Sequence, residues 1–120
     1  MQVDLIYKTK EIKMPKYMLA YYNGKMPAPE SPEEGAKHMA LWKAWADGLG
    51  DALTNKGTPL GQTKSVSLDG VVDGGGADPL MGYSIVQADS IEDAVKMVES
   101  SPHVEYGGTM VVSEMVEMGG

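Results

Sequence analysis

At 120 residues the chain amounts to one domain, long enough to bury roughly two-thirds of the surface its unfolded form exposes. It has no cysteine, which excludes disulfides, zinc–thiolate sites and thiol catalysis. Ten Lys plus Arg against 17 Asp plus Glu give a formal charge of −7, which disfavours a nucleic-acid backbone or an anionic membrane as partner.

No apolar run approaches the roughly 18 residues of a membrane span. The opening "MQVDLIYKTKEIKMPKY" lacks the basic-then-apolar order of a secretory signal, so a cytoplasmic location is expected. Residues 1–13 read as an N-terminal extension, with "VDLIYKTKEIK" as an extra edge strand or added sequence. Residues 14–118 read as a single domain. Phenylalanine is absent and there are 10 methionines, so Met is expected to fill core space that Phe usually takes.

"KYMLAYYNG" reads as a strand closed by the Asn23-Gly24 turn. "KMPAPESPEEG" is a Pro-rich loop. Ser31 is placed to cap a helix, with Pro32 at its first position and Glu33 and Glu34 in its first turn. Met39, Trp42, Ala46, Leu49 and Leu53 recur at steps of three and four, which predicts a helix to about Lys56, ended by Gly57 and Pro59. "QTKSVSLDG" reads as the second strand, "VVDGGGADPL" as a loop and "MGYSIVQA" as the third strand. "DSIEDAVKMVESS" is a second helix capped by Ser90 and stopped by Pro102, and "GGTMVVSEMVEM" is the last strand.

The predicted order is β-α-β-β-α-β, an α+β chain of the ferredoxin-like type with both helices on one face of an antiparallel sheet. A sheet with one wet face should alternate apolar and polar residues. "YMLAYY" and "MVVSEMVEM" instead carry apolar residues on both parities. A second copy of the chain is therefore expected to cover the other face, giving a homodimer whose two sheets face each other, with a cavity between them.

The ordered set "YMLAYYNG", "PLGQTKSVSLDGVVDGGGADPLMGY" and "GYSIVQADSIEDAVKMVESSPHVEYGGTMVVSE" resembles the YCII-related family over about residues 14–118. The resemblance implies a dimeric α+β barrel and a His–Asp pair in a cavity. It also implies chemistry of the elimination, isomerisation or dehalogenation type on small ring compounds. The matching histidine is His103 and the matching aspartate is Asp78, in "GADPLMG" where the family pattern has "DGPF".

The residues themselves leave two readings open at "SSPHVEYGG". Pro102 constrains the backbone entering His103, and Gly107 and Gly108 permit close approach before the last strand. Histidine titrates nearest neutral pH and suits proton transfer; the competing reading is a histidine that complements a helix C-terminus. His38, Trp42 and Trp45 fall near one side of the first helix, as a cavity wall for a planar ligand or as packing. Tyr17, Tyr21 and Tyr83 lie on strands expected to line the cavity, to bond a ligand or simply to pack. "DGGGADP" is not a phosphate loop, since no Lys-Ser/Thr and no helix follow it. No ligand spacing supports a metal, and the expected chemistry needs one base and no cofactor.

The expected function is thus a small-molecule enzyme with His103 as acid/base, oriented by Asp78, and His38, Trp42, Tyr17 and Tyr83 shaping the substrate pocket. The alternatives are a non-catalytic metabolite-binding or regulatory module and, by architectural analogy, a cofactor-free quinol monooxygenase-like enzyme.

Overall fold

Strands rich in β-branched and aromatic residues build a four-stranded antiparallel sheet in the computed structural model, which describes residues 14–117. The strands are β1 (Lys16–Tyr22), β2 (Leu53–Pro59), β5 (Gly82–Gln87) and β6 (Thr109–Glu114), in the order β2-β5-β1-β6. A separate two-stranded hairpin joins β3 (Lys64–Ser67) to β4 (Gly70–Asp73). Helix α1 spans Pro32–Leu49 and is followed by a short 3₁₀ turn, Gly50–Ala52. Helix α2 spans Ile91–Glu99, and a single-turn helix, α3, spans Pro102–Glu105. The expected extension, residues 1–13, and residue 118 lie outside the described residues.

The helix caps follow the sequence reading. Ser31 Oγ accepts from the Glu34 amide and Ser90 Oγ from the Asp93 amide, both at 3.1 Å. Each satisfies one orphan donor of a first helical turn. Pro32 opens α1 as expected.

The middle of the chain departs from expectation. The first helix stops at Leu49 rather than near Lys56 because Gly50 takes φ +56 and breaks the hydrogen-bonded spiral. Leu53, expected to extend the helical stripe, instead opens β2. Gly57 and Pro59 therefore lie in a strand and end no helix. Gly57, at φ +72, lies where the β2–β5 register shifts between Asn55 and Thr58, the geometry of a β-bulge. "QTKSVSLDG" does not enter the main sheet: Lys64–Ser67 pairs with Gly70–Asp73, part of the stretch expected to be a loop. Pro102 begins α3 rather than merely ending α2, with Ser101 as its cap.

One face of the sheet carries the core. Tyr17, Leu19 and Val86 are buried against Ala94 and Val98 of α2, with Trp45 and Leu49 of α1 half-buried at the margin. Full burial of a side chain such as Leu19 or Val86 is worth about 1.5–3 kcal/mol. The Trp45 indole Nε1–H donates to the Met97 carbonyl at 2.8 Å and ties α1 to α2. The opposite face presents Met18 beside Ile85, and Ala20 between Tyr83 and Val111, by strand register. Neither α1 nor α2 packs on that face, and Val111 is 44% exposed. No helix among the described residues is long and apolar enough to cross a membrane.

Candidate functional site

The histidine corner is closed by its own backbone. Ser101 Oγ accepts from the Val104 amide at 3.3 Å, and the Gly108 amide donates to the His103 carbonyl at 2.9 Å. Gly107 makes the turn at φ +96, a conformation that glycine adopts without steric cost. The chain then reverses directly into β6.

This turn drives the imidazole between two strand ends. His103 is 7% exposed, and its Nε2 lies 2.7 Å from the Tyr22 carbonyl oxygen and 3.0 Å from that of Thr109. Tyr22 and Thr109 are register partners, so the ring fastens the last pair of the β1–β6 ladder. A carbonyl oxygen only accepts, so Nε2 must carry the hydrogen. The neutral ring is thereby fixed with its lone pair on Nδ1. Nδ1 has no hydrogen-bond partner among the described residues, and it is not sealed from solvent. Gly108 makes this seat possible, since a β-carbon there would stand 2.7 Å from Nε2.

His103 lines a cavity of about 400 Å³ with Tyr21, Trp42, Met81 and Ser84. A second cavity of about 780 Å³ adjoins it beneath α1, and Tyr21, Met39, Trp42, Lys56 and Ser84 border both. Together they form one groove between α1 and the core face of the sheet. The groove exists because α1 buries none of its residues fully: the sequence stripe faces the sheet, but Trp42, Ala46 and Leu49 are only half-buried. Trp42 stands between Tyr21 and Trp45, with ring centroids 5.8 and 6.0 Å away. Tyr21 meets His103 edge-on at 5.1 Å.

The polar groups in the groove have a fixed direction. Ser84 Oγ donates to the Lys56 carbonyl at 2.8 Å, which uses its single hydrogen. Ser84 must then accept from the Tyr21 hydroxyl, 2.9 Å away. Burial pushes the Tyr21 phenol above its ordinary value. A raised phenol favours the protonated form in the folded state. Its stabilising contribution is complete below the ordinary value of 10.0 and is lost as pH rises through the higher folded value. Tyr21→Phe is expected to flatten the fall of urea-unfolding stability above about pH 10, which paired melts of the two proteins would show.

The other sequence-selected residues take varied places. Trp42 is in the groove wall. His38 borders neither cavity: its Nε2 is 3.9 Å from Glu34 Oε1, and its ring is 6.4 Å from that of Tyr106. Tyr17 is a core residue and lines neither cavity. Tyr83 borders the smaller cavity between Gly82 and Ser84, but its parity puts its side chain on the opposite face of the sheet with Ala20. Asp78 is exposed in the segment between β4 and β5, and no hydrogen bond or ion pair among the described residues joins it to His103. No cluster of three metal-ligating side chains occurs among the described residues.

Tyr21 and Ser84 carry more of the site than the sequence reading gave them. Tyr21 shares strand parity with Tyr17 and Leu19, and a serine at the buried parity of "GYSIV" needs a partner. Those two signals were sufficient to select both. No protein-family model matches the chain, and no curated protein matches it.

Proposed function

We propose that the chain is a YCII-like small-molecule enzyme whose acid/base is Nδ1 of His103, working in the groove beneath α1. The observation that carries this reading is the imidazole itself. It is buried, its Nε2–H is committed to two carbonyls, and its Nδ1 is left without a partner among the described residues, beside an aromatic cavity. A base needs an oriented lone pair, and these carbonyls orient it. The Nε2–H bonds persist when Nδ1 takes a proton, so the ring can accept one and return it without moving. The matching reaction class is removal of an acidic C–H or O–H proton followed by elimination or isomerisation.

In the family pattern Asp78 orients the ring; here the two carbonyls perform that task. His103→Gln retains an amide donor for the carbonyls but removes the Nδ1 lone pair. It is expected to lower ligand affinity about tenfold, one hydrogen bond's worth, while Asp78→Asn changes it less than about twofold. Quenching of Trp42 fluorescence reads both. Unaltered affinity in a folded His103→Gln protein would remove the histidine from the site. Deuterium wash-in at carbons next to a carbonyl separates an enzyme from a binding module.

The same reading includes a ferredoxin-like arrangement paired as a dimeric α+β barrel, supported by the strand order and the apolar open face. A second copy would cover Met18, Ile85, Tyr83 and Val111. Sedimentation equilibrium is expected to give twice the chain mass, and a monomer at micromolar concentration would contradict it.

A further inference from the structure

The direction of each hydrogen bond in the groove limits what can bind there. The Ser84 hydrogen is spent on the Lys56 carbonyl and the Tyr21 hydrogen on Ser84. What Tyr21 offers a ligand is therefore an oxygen lone pair. His103 offers the same, because its fixed hydrogen on Nε2 leaves Nδ1 as an acceptor. Two acceptors thus sit within one groove whose remaining walls are largely apolar and aromatic, with Trp42 prominent. A cationic residue also borders the groove: Lys56, exposed at the β2 bulge, lines both cavities. Lys43, at the outer end, is already held by Asp47 at 2.7 Å.

Resting on the reading of this groove as a ligand site, we infer that it selects hydroxylated aromatic or enolic rings, whose O–H groups donate to Tyr21 Oη and His103 Nδ1. A ring of this kind stacks its face on Trp42 and satisfies both lone pairs. An ether of the same shape brings only acceptors, and would bury lone pair against lone pair. A carboxylate would do the same at those two atoms, and Lys56 alone would favour it.

The test titrates the full chain with resorcinol, 1,3-dimethoxybenzene and benzoate, read by calorimetry and by Trp fluorescence. Resorcinol is expected to bind at least about tenfold more tightly than the dimethyl ether, the ratio for one lost hydrogen bond. Tyr21→Phe is expected to lower resorcinol affinity about tenfold and to leave ether affinity equal or higher, since the opposing Tyr21 lone pair is gone. Ser84→Ala supplies a readout that packing alone would not move. It frees the Tyr21 hydrogen, turns that hydroxyl toward donation, and is expected to raise ether affinity so that the selectivity shrinks. Circular dichroism confirms that each variant is folded. Equal binding of resorcinol and its ether, or tighter binding of benzoate, would overturn the inference while leaving the groove a ligand site. Failure of all three compounds to bind would overturn both.

Discussion

Gly57→Ala is expected to abolish folding or to cost at least about 3 kcal/mol. A β-carbon at this position would collide with the carbonyl oxygen of Tyr83, and the residue sits at φ +72 where a side chain is strained in any case. Neither conflict can be relieved by a side-chain rotation, because the obstacle is the backbone of the central strand β5. Relief would straighten the bulge, shift the β2 register and move Lys56 and Ser84 out of the groove. Gly48→Ala is the contrasting control. It lies inside α1 with nothing near its would-be β-carbon, and it should gain up to about 1 kcal/mol in helix propensity. Urea melts of the two variants measure both, and a Gly57→Ala protein as stable as the parent would show that β2 is not bulged there.

Gly108→Ala is expected to damage the site more than the fold. Its β-carbon would stand 2.7–2.9 Å from three atoms of the His103 ring. The ring would leave its seat, and the Tyr22 and Thr109 carbonyls would lose its hydrogen. Exposing or orphaning such groups costs about 1–3 kcal/mol. Ligand affinity should fall further than in His103→Gln, because the displaced ring also occupies the cavity. Thermal melting together with fluorescence titration tests the pair of effects. Normal binding in this variant would mean that the seat of the ring is not what the ligand reads.

The sequence made the outer parts of the fold legible. Caps such as Ser31 and Ser90 act through short-range hydrogen bonds, and the apolar runs in "YMLAYY" and "GYSIV" mark strands through the burial they require. The Pro102-His103 corner was legible for the same reason, since proline and paired glycines constrain the chain locally. The stretch from Gly50 to Asp73 was not. There the steps from Trp42 through Leu49 to Leu53 continue a helical period, but two glycines at positive φ decide the outcome. The effect of Gly57 depends on β5, which arrives from far along the chain. The pairing partners of His103 were hidden similarly. A sequence offers carboxylates such as Asp78 as candidates, whereas backbone carbonyls at strand ends belong to every residue and mark none.

The resemblance selects His103, and the geometry seats its ring between two strand-end carbonyls at the edge of the groove. The geometry adds Tyr21 and Ser84, and it gives the ring a defined tautomer. It also explains why α1, rich in aromatic residues, is left half-exposed: the space beneath it is the groove.

The most direct test of this account is the ¹⁵N–¹H correlation spectrum of the two imidazoles, with the His103 signals assigned by His103→Gln. Neutral His103 is expected to show a protonated Nε2 and a lone pair on Nδ1, with the Nδ1 resonance alone shifting strongly when a phenolic ligand is added. A hydrogen on Nδ1, or an Nδ1 resonance indifferent to a ligand that saturates the groove, would contradict it.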